Sequence, residues 1–510
     1  MDETYRFCIV VGGGVGGLIQ TAELLRKNLI QPKDLQIFER QSDYGGVWKA
    51  ANYPGAACDV FSCMYQISWH RNPDWNSLFP VSSELVEYYK KFAEHYGLPA
   101  CTLFNRHVLQ ATWSEDRALW IVDVQDKKTG IVTRWSSKVL VQAAGVYNRK
   151  VTPSIPGIDT FKGDTWHNGD WPDNYDFAGK TVAYVGTGPT LIQVIPTLQA
   201  QAASVKVFCR SMTYCHPFIN LTYPTWVKWA FRRIPGLMAL WAWTFMILFG
   251  TWAYFAFRPA TWVARNTERY CRRVLHKQVR DPVLREKLAP TGRFGAKRPM
   301  VSLAGFFNVL QKDNVEVIKN PIVGVDASGV ITTSEDETDH TRADVLIWGT
   351  GYLMQGWGGA VHTIGRSGVV LREKWLDETK TLYTTMTSSF PNMFILGGPN
   401  TTSPWASLIR GLEYQAAHNS RIIRHIYEQT WDAPLYSLEP RLDKEAEWTE
   451  SMQSEVNKLA TSPKYGPAYY YLSKDGRNTF FWPWPQEYYW WRTRRLDISD
   501  YVEYNGGEKI

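Results

Sequence analysis

The stretch YRFCIVVGGGVGGLIQTAELLRKN, Tyr5 to Asn28, reads as strand, turn and helix in succession. Phe7 to Val11 form a short run rich in β-branched residues, and Leu18, Ala22 and Leu25 begin a stripe at helical spacing. Between them lies Gly12-x-Gly14-x-x-Gly17. In a dinucleotide-binding unit the first glycine makes the tight turn and the second lets backbone N–H groups approach a pyrophosphate. The third lets helix and strand pack closely, and the helix N-terminus attracts the phosphate charge. A glycine triplet alone also fits an ordinary loop. Here a second strand, LQIFER, follows and ends at Glu39, about 20 residues on, where such units hold a ribose 2′-hydroxyl. The dinucleotide reading prevails.

A second unit lies at GKTVAYVGTGPTLIQVIPTLQ, Gly179 to Gln199. Thr181 to Val185 make the strand, Gly186-x-Gly188 the turn, and Leu191 onward the helix. Leu191 replaces the third glycine, which predicts a slightly wider helix–strand spacing. The next strand, SVKVFCRS, ends in Arg210-Ser211 where the first unit has Glu39. An arginine there suits a 2′-phosphate; the alternative is an exposed arginine at a strand end. The first site thus fits FAD and the second NADPH. Two dinucleotide sites in one chain imply cofactors that exchange electrons.

Composition narrows what receives those electrons. The seven cysteines, Cys8 to Cys271, contain no C-x-x-C pair, so no redox dithiol is expected and O2 becomes the acceptor. Their scatter argues for a reducing, cytoplasmic compartment and against structural zinc, and the acidic start MDETYRF for no secretory signal. The 510 residues, 45% apolar and 21% charged, are those of a globular chain of two or three domains. A net charge of +7 without a long basic run predicts no nucleic-acid partner, while fitting a phosphate-rich cofactor or an anionic membrane equally well. The 24 Trp and 27 Tyr point to broad apolar cavities or surfaces.

Between the two glycine turns lies FKGDTWHNGDWP, Phe161 to Pro172. Its Phe161, Gly163, His167, Trp171 and Pro172 follow F-x-G-x-x-x-H-x-x-x-W-P, which resembles the fingerprint of type I Baeyer–Villiger flavin monooxygenases. The resemblance extends through YGGVWKAANYPGAACDV, GAKRPMVS, ADVLIWGTGY, FPNMFILGGPN and the terminal GRNTFFWPWPQEYYWWRTR. Ala144 and Gly349 depart from it, standing where Thr and Ala are frequent. The resemblance implies an α/β fold with two Rossmann-like domains. A discontinuous FAD domain would span residues 1–150 and 345–510. An NADPH domain would span 151–344, with a helical insertion near 215–295. It places the fingerprint at the domain junction, making His167 structural or conformational rather than an acid–base group.

The resemblance further implies a reaction in which NADPH reduces FAD and one oxygen atom of O2 is inserted beside the carbonyl of a ketone, giving an ester or lactone. Concentrated negative charge in a water-poor site needs a fixed positive charge, and the oxygen donor needs shelter from water. By its match to the Lys-Arg segment Arg298 carries that charge, and Asp59 is its acidic partner; the plainer reading is an ion pair on a loop. Lys297 joins Arg210 and Ser211 on the 2′-phosphate. Gly46, Trp48, Tyr65 and Val108 fall where the family's flavin contacts lie, although Trp48 and Tyr65 equally suit ordinary packing. The leading substrate is a bulky hydrophobic ketone, such as a polyketide or terpenoid intermediate. N- or S-oxygenation, an uncoupled NADPH oxidase, and a membrane-bound binding protein with a vestigial cofactor site are the alternatives.

Ile234 to Phe257 contains no charged residue and is flanked by Arg232, Arg233 and Arg258. Its length suits a membrane span. A single span would, however, put Arg210 and Lys297, expected on one NADPH, on opposite sides of a bilayer. Two readings remain: buried helices lining the substrate cavity, or a segment docking peripherally on a membrane.

Overall fold

The computed structural model describes residues 3–302, 305–334, 337–354, 357–465, 471–473 and 476–510. The strand Thr4–Val11 is buried along its last five residues, as a continuous apolar run in the middle of a parallel sheet should be. It pairs in parallel with Leu35–Glu39 on one side and Val132–Gln142 on the other. Arg106–Ser114, Leu119–Asp126 and Val132–Gln142 form an antiparallel meander, and His362–Ile364 and Thr102–Phe104 close the two edges. Met393–Ile395 also pairs in parallel with Val132–Gln142, so the late part of the chain rejoins the sheet that its first residues began.

The second sheet is wholly parallel, in the order Val315–Ile318, Ser204–Phe208, Thr181–Val185, Val345–Trp348, Asp164–His167. Two sheets of this kind, each with a glycine turn leading into a helix (Val15–Arg26 and Pro189–Gln201), make the expected α/β architecture. One boundary moves. Val345–Trp348 belongs to the second sheet, not to the returning first part expected from residue 345. All four of its residues are buried, and a fully apolar tetrapeptide is satisfied only between two other strands.

The helical insertion leaves the second sheet through a two-stranded ribbon, Cys215–Pro217 beside Met300–Ser302. It contains helices Thr225–Arg233, Leu237–Ala256, Trp262–Gln278 and Pro282–Lys287. Leu237–Ala256 is apolar all round, yet only 17% of its most apolar window is buried. Met238 and the small Ala242, Ala253 and Ala256 face the body of the protein. Leu240 (64% exposed) and Ile247 (57% exposed) face outward. The reading of this run as buried helices is corrected accordingly: one face finds partners and the opposite face finds none.

Candidate functional site

Both glycine turns have the close approaches that their chemistry requires. At Gly12 the backbone has φ +110°, and a Cβ there would lie 2.6 Å from the Ala143 carbonyl oxygen; at Gly17 it would lie 1.9 Å from that of Gly12. The helix that follows begins at Gly14 without a side-chain cap, leaving its first N–H groups for a ligand. Glu39 is buried beneath the turn. Its carboxylate accepts from Gly13 N at 2.6 Å and Gln41 N at 2.7 Å, which fixes it beside the loop. Gly46 (φ +55°) lies against Gly14, where a Cβ would come within 2.9 Å of the Gly14 Cα. Trp48 Nε1 donates to the Tyr65 hydroxyl at 3.2 Å, with the rings edge to face, and burial pushes the Tyr65 phenol well above its ordinary pKa. Val108 stands apart. Its side chain is buried in the core of the first sheet with Val11 and Phe38, so only its backbone, beside a bulge between Val108 and Gln110, can face a ligand.

At the second turn Gly186 has φ +131°, and a Cβ would lie 2.2 Å from the Gly349 carbonyl oxygen. Gly349 has its own reason to lack a side chain. A Cβ there would stand 2.5 Å from the ring and hydroxyl of buried Tyr184. The departure at 349 is thus paired with an aromatic on the adjacent strand. Leu191, in place of the third glycine, is packed in the core beneath the second sheet. Lys297 Nζ donates to Ser211 Oγ, and burial, then the neighbouring charge of Arg210, lowers the Lys297 pKa. Among the described residues neither Lys297 nor Arg210 has a carboxylate in ion-pair range. Two cations without a carboxylate partner beside a hydroxyl are groups able to receive an anion.

Arg298, next in the chain, turns toward the first domain. Its Nη2 donates to Asp59 Oδ2 at 2.5 Å and its Nη1 to the Tyr147 hydroxyl at 3.1 Å. The Asp59 carboxylate raises the Arg298 pKa well above its already high ordinary value, outweighing the opposing effect of burial. The side chain nevertheless keeps 41% of its surface accessible, so the charge stays open to an approaching molecule. The family resemblance had pointed to Arg298 and Asp59. Tyr147 was missed, having no signal beyond its place in the segment VLVQAAGVYN.

The loop carrying Asp59 is anchored on the opposite half of the molecule. Asn52 Nδ2 donates to the Trp171 carbonyl at 2.8 Å, and the Tyr53 hydroxyl to Gln193 Oε1 at 3.0 Å. Gln193 Nε2 donates to the Ala57 carbonyl at 2.9 Å. Gly55 (φ +75°) passes so close to the helix Pro189–Gln201 that a Cβ would stand 2.5 Å from the Gln193 carbonyl oxygen. Trp171 belongs to the fingerprint, which contributes a hub rather than a reactive group. His167 Nδ1 accepts from Gly169 N at 3.0 Å, so its Nε2 carries the proton and donates to the Gly351 carbonyl at 2.9 Å. Burial lowers the His167 pKa, as suits this neutral, doubly bonded ring.

An apolar cleft of about 330 Å³ opens between the segment that follows Asp59 and the helical insertion. Phe61, two residues past Asp59, lines it with His216 and Phe218 of the ribbon and Phe245, Phe249 and Trp252 of the long helix. His216 stacks on Phe218 and holds its Nδ1 3.2 Å from the Pro217 carbonyl oxygen, and burial lowers its pKa. Of the Trp and Tyr that dominate the composition only Trp252 lines this cleft, whose walls are mainly Phe.

Residues 6–232 match the family model described as flavin-binding monooxygenase-like. The chain is 35% identical over 501 residues to the FAD-binding monooxygenase BOA2 of Botryotinia fuckeliana, covering 98% of this chain and 94% of that one. It is 30% identical over 498 residues to a Baeyer–Villiger monooxygenase of Pseudomonas aeruginosa, covering 96% and 90%. Its fold superposes with a TM-score of 0.84 on the crystal structure of the NADP+-bound cyclohexanone monooxygenase of Rhodococcus sp. Phi1, at 24% identity over 99% of this chain and 100% of that one.

Proposed function

The chain belongs to the type I Baeyer–Villiger flavin monooxygenases, and from that premise we propose that it uses NADPH, FAD and O2 to convert a bulky hydrophobic ketone into an ester or lactone. The observation that carries the reading is the Arg298–Asp59 pair, which fixes a permanent cation where the flavin-side loop rests on the second sheet's helix. The overall reaction consumes ketone, O2, NADPH and a proton, and yields ester, water and NADP+.

The residues present fit both cofactors. Gly12, Gly14, Gly17 and Glu39 would hold the pyrophosphate and ribose of FAD, with Gly46, Trp48 and Tyr65 around its redox-active end and the Val108 backbone as a further contact. Gly186 and Gly188 would receive the pyrophosphate of NADPH, and Arg210, Ser211 and Lys297 its 2′-phosphate. FAD, reduced by NADPH, supplies the chemistry that activates O2. Arg298 stabilises negative charge as it develops on oxygen, and being permanently protonated it does so without yielding a proton. Asp59 and Tyr147 hold the guanidinium in place. The aromatic walls exclude water from the reacting atoms.

An apolar cleft of this size, with His216 its one polar side chain, favours a polycyclic or long-chain ketone, such as a polyketide or terpenoid intermediate. The division into FAD parts 1–150 and 345–510 around an NADPH part is retained, with Val345–Trp348 reassigned to the NADPH sheet. A peripheral membrane contact through 234–257 would suit a lipophilic substrate.

The test is product analysis with a panel of bulky cyclic ketones and organic sulfides, measuring NADPH, ester, sulfoxide and hydrogen peroxide together. Wild type should give ester in proportion to NADPH consumed. Arg298→Ala should lose ester formation by roughly 100-fold or more and divert NADPH to hydrogen peroxide. Ester formation that survives Arg298→Ala overturns the role given to Arg298. Sulfoxide without ester makes the enzyme a heteroatom oxygenase, and stoichiometric peroxide with every ketone makes it an NADPH oxidase.

A further inference from the structure

We propose that the helical insertion is a docking surface for an anionic lipid bilayer. Of the large hydrophobic side chains exposed among the described residues, nearly half lie between Ile219 and Tyr270. On Leu237–Ala256 the exposed Leu240, Trp243, Ile247, Leu248 and Phe255 recur at helical spacing and form one outward stripe. The neighbouring helix Thr225–Arg233 adds Trp226 (71% exposed) and Trp229. It is fixed beside the long helix by contact of Phe231 with Trp241 and by the Trp241 Nε1 bond to Tyr223.

Charge selects the occupant. Residues 219–280 contain ten Lys and Arg against one acidic residue, Glu268. That local excess is larger than the +7 of the whole chain, so the remainder is slightly acidic. Glu268 is buried and paired with Arg293, and Asp74, from outside the segment, pairs with Arg232, so the excess that would meet an anionic surface rests on the other cations. Exposed Trp and Leu framed by Arg is the composition of an element lying in the headgroup boundary, where apolar side chains enter the acyl layer and cations meet phosphate. Arg258 is not one of these cations. It lies over Tyr254 and donates to the Pro483 carbonyl at 2.9 Å, clamping the end of the helix to the body. Leu248 belongs both to the outward stripe and to the wall of the apolar cleft, so the cleft opens on the docked face.

The docking itself does not depend on the reaction proposed above, and its test reads binding alone. Flavin-loaded enzyme is sedimented with vesicles of phosphatidylcholine, or of phosphatidylcholine mixed with phosphatidylglycerol. The double variant Leu240→Asp/Ile247→Asp is compared after its circular dichroism and flavin content are matched to wild type. Wild type should sediment with the anionic vesicles and be released by high salt. The variant should bind roughly tenfold more weakly or worse, since one such side chain withdrawn from the acyl layer already weakens binding about tenfold. Should the variant misfold, wild type still decides the matter: vesicles containing brominated lipid must quench its tryptophan fluorescence. Wild type that stays in the supernatant and is not quenched overturns the proposal. So does a concentration-dependent dimer that the variant abolishes while vesicles remain unbound, because a second copy then covers the face.

Discussion

Replacing Gly55 by alanine tests whether the flavin-side loop and the NADPH-side helix are held together as the structure shows. Two penalties arise at this position. The left-handed φ of +75° costs an alanine about 1–2 kcal/mol, partly offset by about 0.4–1 kcal/mol from the stiffer unfolded chain. The new methyl would also stand 2.5 Å from the Gln193 carbonyl oxygen, and such overpacking against backbone costs about 1–3 kcal/mol. Gly97 provides the control: its φ is +69° and a Cβ there meets nothing within 4 Å, so Gly97→Ala carries the first penalty alone. The easiest relief at Gly55 is for the loop and helix to part, since the loop follows the first sheet and the helix belongs to the second. In that case the clash appears as a loss of the docked population, about 5- to 150-fold for about 1–3 kcal/mol, rather than as unfolding. The assay is steady-state kcat with ester and peroxide measured together, alongside thermal unfolding. Gly55→Ala should lower coupled turnover and raise peroxide, while Gly97→Ala leaves both near wild type. Equal behaviour of the two variants in turnover and in melting would refute the reasoning, because the loop would then not rest on Gln193 in solution.

Lys297→Met should raise the KM for NADPH about 10- to 100-fold while changing that for NADH little, as expected for loss of one charged hydrogen bond to a 2′-phosphate. Because burial and Arg210 lower the Lys297 pKa, the wild-type KM for NADPH should begin to rise with pH below the range of an ordinary lysine, and Lys297→Met should abolish that limb. Asp59→Ala leaves Arg298, among the described residues, its side-chain bond to Tyr147 alone; kcat for ester formation should fall about 10- to 100-fold with NADPH binding retained, by initial-rate measurement. At His167 burial holds the folded-state pKa below the ordinary imidazole value of about 6.5, so the unfolded chain takes up the proton first. Its contribution is present in full above that value and declines as pH falls from it toward the folded value; urea midpoints from about pH 8 to about pH 5 should show this slope, and His167→Gln should flatten it.

What was legible in the sequence was chiefly what backbone geometry demands. Gly12, Gly17 and Gly186 could be placed because a turn that approaches another strand's carbonyl admits no side chain, and that need is written in one residue type at fixed spacing. Lys297 and Arg210 are far apart in sequence, and their convergence on Ser211 followed from the resemblance, not from any local pattern. Gly349 was visible only as a departure. Its explanation, the ring of Tyr184 on the neighbouring strand, is a pairwise compensation, and a single chain read position by position does not reveal one. The same holds for Tyr147, Asn52 and Gln193, polar residues whose roles come from what the fold sets opposite them. The boundary at 345 was misplaced because a short apolar run says that a strand is buried but not in which sheet. The exposure of Leu237–Ala256 was hidden for the opposite reason: a helix apolar on every side has no periodicity from which to tell its inner face.

The two partners of the central ion pair arise from different halves of the molecule. Arg298 ends the insertion and leads directly into the ribbon strand Met300–Ser302, whereas Asp59 follows the loop that docks on Trp171 and Gln193. The cation that the proposed reaction needs is therefore oriented only when that loop is seated on the second sheet's helix and on the fingerprint. Arg298 is permanently charged, so a displaced loop would not change its protonation; it would change where the charge points and how much water reaches it. This gives the fingerprint a function without giving it a reactive atom. Trp171 would act on the position of Asp59 through its bond from Asn52, while His167 secures the fingerprint itself to the Gly351 carbonyl. Substitutions in the fingerprint should consequently resemble Gly55→Ala, with electrons from NADPH reaching O2 while oxygen transfer to the ketone is lost.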